Sequence, residues 1–222
     1  MTGLDAAFTR ISNLKWMAVV CSLGIAALSW QGALPLDLPF PEVAAVITGA
    51  WSVWLLSQNR PSGWWVGLVS VLLFGIVFFE VRLYAEVGIQ VFYFVTSLQA
   101  IWIWIRGGTN RSQRPVAHVP KHLMLWTVPA FVVAWVALRW LLIEVGGAAP
   151  IWDSLTTVMS LTAHVYLMFR YVESWYLWIA VDVIYVPLYL SRDLRLTSLL
   201  YVGFLVMSIR GLRNFRTLVG ET

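Results

Sequence analysis

The feature of this sequence that most constrains its fold is a succession of long apolar runs, separated by short charged islands. Runs of about 18 or more apolar residues are long enough to cross the hydrocarbon core of a bilayer as helices. Only 12% of the 222 residues are charged and 60% are hydrophobic, a balance that one soluble core cannot bury. The pattern excludes a cytosolic enzyme, a disordered protein and a nucleic-acid-binding domain. It predicts an all-α protein that crosses the membrane several times.

Windows of predominantly apolar residues predict eight transmembrane helices. They lie at about 14–33, 43–58, 63–80, 87–105, 122–142, 152–169, 174–190 and 195–210. The first run follows Arg10 and Lys15 and resembles a signal peptide, but its length and the lack of a small-residue cleavage site favour a retained helix. A lone cysteine, Cys21, excludes a disulfide framework.

Lysine and arginine residues are distributed unequally between the two ends of these helices. Eleven of the 15 fall on one side of an eight-helix arrangement and four on the other. Because cytoplasmic loops carry the excess of basic residues, both termini are expected in the cytoplasm. Trp102 and Trp104, just before Arg106, are interpreted as anchors at the membrane interface.

The chain also contains a weak internal repeat. A constant shift aligns 52–104 with 163–215 without a gap and places Trp64 on Trp175, and we call this shift the repeat interval. Each unit spans three helices and one helix lies between them, so both units enter the membrane from the same side. Parallel repeats of this kind occur in transporters, with the substrate site at the repeat interface. The alternative is that helical hairpins of similar length align loosely.

The repeat predicts five regions in the chain. They are an N-terminal tail with an extra helix at 1–41, a first three-helix repeat at 42–105, a loop with a linking helix at 106–143, a second three-helix repeat at 144–215 and a C-terminal tail at 216–222.

Asp182 is the one acidic residue that lies well inside a predicted span. A charge at the bilayer centre costs about 2.5–3.5 kcal/mol on insertion scales, so such a residue is functional by default. It belongs to a helical stripe with spacings of 3 and 4, made of Trp175, Trp178, Asp182, Tyr185 and Tyr189. The stripe is typical of a cavity wall that stacks a flat cation. An aromatic belt with a structurally paired Asp is the alternative, but it does not account for the deeper Asp182 and Tyr185.

The fourth predicted span carries a second group of polar side chains. Gln90, Tyr93 and Ser97 share a helical face, and Gln99 follows closely. They are predicted to bind polar substituents of a ligand, with hydrogen bonding between helices as the alternative. His164, in the middle of the sixth span, is interpreted as a hydrogen-bonded structural residue rather than a proton relay.

Several activities lack the residues that they need. The only lysines, Lys15 and Lys121, lie near membrane ends, which excludes a Schiff base in the middle of the bundle. The sequence contains no P-loop, no nucleophile elbow and no intramembrane His/Glu cluster of a metalloprotease. We therefore expect no enzymatic activity, no cofactor and no metal.

Two ordered stretches resemble a known family. Residues 70–94 read SVLLFGIVFFEVRLYAEVGIQVFYF and residues 171–189 read YVESWYLWIAVDVIYVPLY. They resemble the FG-x-x-FF…LYA…LQ-x-F-x-F and YVE-x-W-x-x-W-x-x-x-N segments of the PnuC family of bacterial vitamin-precursor transporters. The resemblance implies a three-plus-one-plus-three helix arrangement related to SWEET sugar transporters, in a homotrimer of the inner membrane. It also implies facilitated diffusion, after which a cytoplasmic kinase phosphorylates the imported substrate.

The resemblance also assigns residues. Trp175 and Trp178 fall on the family's paired tryptophans and Gln90 on its glutamine, whereas Asp182 stands where nicotinamide riboside members carry Asn, and residues 98–102 replace a Tyr-Gly-Trp. Nicotinamide riboside is the expected substrate, with thiamine, also a cation, as the alternative. Riboflavin, which is neutral and larger, fits less well. The rival from another class is a membrane receptor or accessory subunit that binds such a ligand without moving it.

Overall fold

The computed structural model describes residues 40–80, 82, 84–146, 149–191 and 195–220. Within these ranges the chain forms seven α-helices, a 3₁₀ turn at Thr109–Arg111 and no β-strand. The helices are α1 (Phe40–Ser57), α2 (Ser62–Glu80), α3 (Tyr84–Arg106), α4 (Lys121–Glu144), α5 (Pro150–Met168), α6 (Glu173–Leu190) and α7 (Arg195–Gly220). The helical fold class is confirmed. The predicted span at 14–33 lies outside the described residues, so the count of eight stays a prediction.

The last helix is longer than the sequence predicts. It continues to Gly220, past the expected end at 210 and into the region expected to be a tail. Phe215 on this extension is fully buried, and Leu212 and Leu218 pack against the same core. Tertiary packing thus extends a helix whose last turns are too polar to be recognised as a membrane span.

Four helices are long and apolar enough to cross a membrane by length and composition: α1, α2, most of α3, and α4. The other three described helices carry more polar residues, but many of these are buried, as Ser154, Asp182 and Ser208 are. Large apolar side chains are exposed on each of these helices, such as Trp152 on α5, Val183 on α6 and Leu199 on α7. These helices therefore present a surface suited to lipid even though their mean hydropathy is lower.

The helices pack as two consecutive sets of three. In the first set α2 packs against α1 and α3, and in the second α6 packs against α5 and α7. The two sets meet where α1 contacts α7 and where α3 contacts α5. Helix α4 connects the sets, packs against α5, and has no buried residue. The space between the two sets is therefore bounded by six helices.

Corresponding elements of the two sets are separated by the repeat interval that aligns the sequence. Helix α2 begins at Ser62 and α6 at Glu173, one repeat interval later. Helix α1 ends at Ser57 and α5 at Met168, again one repeat interval later. If the repeat were only a loose alignment of helical hairpins of similar length, both boundaries would not need to agree.

The turns that precede α2 and α6 share an uncommon conformation. Asn59 and Arg170, which the repeat interval also relates, both have a φ of 59°, in the left-handed region that residues with a side chain seldom adopt. The N–H of Asn59 donates to the carbonyl of Leu56 at 2.8 Å, and that of Arg170 to Leu167 at 2.9 Å. The same hydrogen bonds thus end the helix before each turn.

Trp104 is not an interface anchor. It is fully buried, its indole Nε1 donates to the carbonyl of Leu167 at 3.1 Å, and its ring lies edge-on to that of Trp64 at 5.7 Å. Trp102 is 62% exposed. Because two positions correspond to a rotation of about 200° around a helix, Trp102 and Trp104 lie on opposite faces of α3.

Candidate functional site

A cavity of about 380 Å³ lies between the two sets of helices. Its described wall includes residues of all six helices in the sets and none of α4. Ligand pockets span roughly 300–1,000 Å³, so this volume suits one small organic molecule.

The wall residues are themselves related by the repeat interval. Among the described residues of the wall, only Ser52 has no counterpart that also lines the cavity. The others form these pairs: Gly49 and Ser160, Val53 and His164, Leu56 and Leu167, Trp64 and Trp175, Gly67 and Trp178, Ser70 and Val181, Val71 and Asp182, Phe74 and Tyr185, Gln90 and Tyr201, Tyr93 and Phe204, Ser97 and Ser208. Most pairs combine unlike residues. The two halves of the wall therefore use corresponding backbone positions but differ in chemistry.

Seven of the nine predicted site residues line this cavity: Trp175, Trp178, Asp182, Tyr185, Gln90, Tyr93 and Ser97. The other two do not. Tyr189 lies one turn beyond Tyr185, and its ring stacks on that of Tyr201 at 5.2 Å. Gln99 is exposed on the outer face of α3, because it follows Ser97 by two positions. That the seven bind substrate stays a prediction.

Asp182 is buried in the cavity wall, with 3% of its surface exposed. Its Oδ2 accepts a hydrogen bond from the Ser208 hydroxyl at 3.0 Å. No cation among the residues that the structure describes forms an ion pair with it. A buried carboxylate is costly unless it is paired, so a cationic ligand would supply what the described protein does not.

The two tryptophans of α6 differ in their surroundings. Trp175 is 1% exposed and lies edge-on to Phe215 at 5.5 Å. A Cβ at Gly211 would lie 2.6 Å from its ring, so only glycine lets α7 approach this closely. Trp178 is only partly buried. The burial of Trp175 argues against a belt at the lipid interface, and Trp178 offers the more accessible ring.

Two indole groups in the wall have no acceptor within the described part of the chain. They are the Nε1 atoms of Trp64 and Trp175, both buried. Buried donors are nearly always hydrogen-bonded in proteins, to protein, water or ligand. Both atoms are shielded by their neighbours, so a ligand oxygen would reach them only if the surrounding helices moved.

His164 also lines the cavity, although its sequence context indicated a structural residue. Its Nε2 lies 2.9 Å from the Thr96 hydroxyl, and its ring is 4.7 Å from that of Tyr93 and 5.3 Å from that of Trp64. Sequence reasoning missed His164 and Trp64 as wall residues. The repeat alignment to the predicted site on α6 could have found Trp64, since it pairs with Trp175.

A contact between the two sets lies just beyond the end of the cavity that Leu56 and Leu167 line. The Arg170 guanidinium donates from Nη2 to Asn59 Oδ1 at 2.6 Å and from Nη1 to the carbonyl of Arg114, and it lies 4.9 Å from the Trp104 ring centre. Arg170 is 3% exposed. Burial, with a smaller effect of nearby Arg114, lowers the pKa of Arg170 to about 10, so that it stays charged at neutral pH.

The loop between α3 and α4 contacts the turn that carries Arg170. The N–H of Ala117 donates to the Arg170 carbonyl at 3.2 Å, and the N–H of Val172 donates to the Ala117 carbonyl at 3.0 Å. Glu173 accepts from the N–H of Val119 at 3.0 Å and lies 2.7 Å from His118 Nδ1. The segment thus holds the turn between α5 and α6 as well as connecting helices.

Fold and cavity together define a class: a polytopic helical membrane protein with a central site for a small molecule. A crystal structure described as that of the vitamin B3 transporter PnuC has the same fold, with a TM-score of 0.66, 24% identity and coverage of 92% of both chains. The family model for nicotinamide mononucleotide transporters matches residues 40–217. The chain belongs to this family.

Named relatives agree with this assignment. The nicotinamide riboside transporter PnuC of Escherichia coli (strain K12) is 29% identical, over 82% of this chain and 87% of that protein. The transporter of the same name from Neisseria mucosa is 28% identical, over 79% of this chain and 71% of that protein. The resemblance indicated by residues 70–94 and 171–189 is confirmed. The protein is a vitamin transporter of the membrane, not an enzyme.

Proposed function

We propose that this transporter takes up nicotinamide riboside through the cavity between the two sets of helices. The observation that carries the proposal is the similarity over most of the chain to relatives named nicotinamide riboside transporters. The buried carboxylate of Asp182 supports a cationic substrate, because it has a hydroxyl partner but no ion pair in the described chain and lies in the same wall as Trp178. Nicotinamide riboside combines a flat pyridinium cation with a polar sugar. An indole ring attracts such a cation by about 0.5–2 kcal/mol, and the carboxylate faces its charge.

Thiamine is the second candidate substrate. Its thiazolium ring is also a flat cation, and the proposal that Asp182 faces a positive charge applies to it equally. Titration calorimetry of the purified protein with nicotinamide riboside, thiamine and riboflavin separates the candidates. We expect saturable and tightest binding of nicotinamide riboside. Saturable binding of thiamine without binding of nicotinamide riboside would overturn the proposed substrate.

We further propose that α1–α3 and α5–α7, which cover nearly all of the predicted ranges 42–105 and 144–215 and extend slightly past them, are parallel repeats that rock against each other to expose the cavity alternately to the two sides. The equal intervals between the boundaries of corresponding helices, Ser62 with Glu173 and Ser57 with Met168, support this proposal. The matching turns at Asn59 and Arg170 and the paired wall residues support it as well. Together with the extra helix predicted at 14–33, this would be the SWEET-like arrangement that the family resemblance implies.

Transport would then be facilitated diffusion. Among the described residues of the cavity wall, Asp182 is the only acidic side chain, which leaves few groups for binding a coupling ion. Proteoliposomes preloaded with unlabelled substrate test this directly. Labelled nicotinamide riboside should exchange across the membrane at a rate that ionophores do not change. Binding without exchange would favour the receptor alternative, and accumulation driven by an ion gradient would favour coupled transport.

The assembly that we propose is a homotrimer in the bacterial inner membrane with both termini cytoplasmic. In a single chain, α4 has no buried residue and carries exposed Trp126 and Trp140. Such a face suits lipid or a neighbouring subunit. Native mass spectrometry of the purified protein should give three copies. A linked cytoplasmic kinase would retain the substrate by phosphorylation.

A further inference from the structure

We propose that His164 determines substrate specificity, with its ring held in the tautomer that keeps Nδ1 free to accept a hydrogen bond from a donor on the substrate. The proposal rests on the proposed function, since it concerns the same cavity. It goes beyond that function by assigning a role to a residue outside the stripe of α6. The chemistry that it requires of the substrate is a hydroxyl or amide N–H.

Thr96 fixes the tautomer. Its hydroxyl donates to the carbonyl of Phe92 at 2.7 Å, with a longer contact to that of Tyr93 at 3.3 Å. A hydroxyl has one proton, so toward His164 the Thr96 oxygen can only accept. Its partner at 2.9 Å is His164 Nε2, which must therefore carry the hydrogen. In a neutral imidazole the other nitrogen, Nδ1, then has a free lone pair.

The surroundings of the ring favour the neutral form. It contacts the rings of Tyr93 at 4.7 Å, Trp64 at 5.3 Å and Phe92 at 6.2 Å. No carboxylate is hydrogen-bonded to it, and no hydrogen bond joins Nδ1 to any residue in the described ranges. A charged imidazolium inside the membrane would be strongly disfavoured without such a partner.

The position of His164 lets its acceptor atom, Nδ1, contact a different part of the substrate from the part that faces Asp182. The corresponding wall position of the first set is Val53, whose side chain has no polar atom, so the acceptor is present on one side only. Asp182 is another side chain of the second set suited to accept, and the proposed function directs it to the positive ring. His164 Nδ1 is then available for the uncharged polar part of the same molecule.

Two replacements separate ligand recognition from structural support. In His164→Asn the amide oxygen can occupy the position of Nδ1, whereas in His164→Gln the amide nitrogen can occupy that of Nε2 and keep the bond to Thr96. We expect Asn to retain most of the affinity and Gln to lose about 5- to 10-fold, the effect of one neutral hydrogen bond. Thermal stability should follow the opposite order. A purely structural histidine would lose affinity in the same order as stability, which would overturn the proposal.

Substrate analogues identify the donor. Nicotinic acid riboside lacks the amide N–H, and deoxyribosyl analogues lack single hydroxyls. The analogue that lacks the relevant donor should bind His164→Gln and the parent protein equally well. Val53→Ala, which shortens a wall residue without removing a polar atom, measures the effect of cavity volume alone. An equal loss by His164→Gln for every analogue would overturn the proposal.

The tautomer has its own spectroscopic signature. The imidazole ¹⁵N shifts of His164, assigned by their disappearance in His164→Gln, should show hydrogen on Nε2 only, and Nδ1 should shift when ligand binds. Hydrogen on Nδ1 would overturn the proposal. If thiamine proves to be the substrate, the proposed substrate fails, and the comparison of Asn with Gln is made with thiamine instead.

Discussion

At the scale of single residues, Asp182 is costly to bury inside a membrane and is suited to bind a cationic ligand. Its carboxylate is buried with one hydroxyl partner. We predict that Asp182→Asn folds normally but binds nicotinamide riboside about 10- to 100-fold more weakly, because hydrogen bonds and contacts to charged groups are worth about 1.5–3 kcal/mol. Calorimetry with nicotinamide riboside and thiamine measures the change. Unchanged affinity for both cations would return Asp182 to a structural role.

The two tryptophans of α6 should respond differently to truncation. Trp178→Ala is predicted to weaken binding more than Trp175→Ala, because Trp178 is only partly buried and its ring is accessible from the cavity. Trp175 packs against Phe215 and α7, so its loss should lower the free energy of unfolding by about 3–5 kcal/mol. Melting temperature and affinity, measured on both variants, separate the effects. Negligible changes in binding for both would contradict the predicted stacking role.

The sequence predicts well which side chains line the cavity where helical spacing alone determines the face on which they lie. The intervals of 3 and 4 from Trp175 to Tyr185 place four side chains on one face, and all four line the cavity. Spacing does not show how far along a helix the cavity extends. It therefore did not exclude Tyr189, which lies beyond the cavity. Nor does it show which face meets a neighbouring helix. For this reason Gln99 was expected inside, whereas Trp104 was expected at the interface.

At the scale of elements, the contact of α6 with α7 depends on Gly211. A methyl group there would lie 2.6 Å from the Trp175 ring, in a position where the ring has little room to move. We predict that Gly211→Ala costs about 1–3 kcal/mol of stability through overpacking and displaces Trp175. Gly203→Ala is the matched control on the same helix, since no described residue lies within 4 Å of its added methyl group. Equal melting temperatures for the two variants would contradict this packing.

Helix positions were predictable because long apolar runs leave the backbone few alternatives in a membrane. Each predicted span from 43–58 onward falls on one helix. The end of α7 was not predictable in this way. Its last turns are amphipathic, and the burial of Phe215 depends on Trp104 and Trp175, which lie far away in the sequence.

At the scale of the whole molecule, the Asn59–Arg170 contact joins the two sets beyond the end of the cavity that Leu56 and Leu167 line, and we expect it to keep this end closed. Asn59→Gly removes the amide but permits the left-handed φ of 59°, so the turn is kept. The test uses a protein in which Cys21 is replaced by serine and a cysteine is introduced at Ser160. We predict that this cysteine reacts about 10-fold faster with a membrane-impermeant thiol reagent when Asn59→Gly is added than when Asn59 is present. Asn59→Asp keeps an acceptor for Arg170 and should react slowly. Equal rates in all three proteins would show that the contact does not hold this end closed.

The central claim is that the cavity between the two sets binds a cationic vitamin and carries it across the membrane. Uptake of labelled nicotinamide riboside into proteoliposomes tests it most directly. We predict saturable uptake that stops when the internal and external concentrations are equal, with a higher KM for Asp182→Asn. Uptake no faster than in protein-free liposomes, with purified protein that is folded and correctly inserted, would contradict the account.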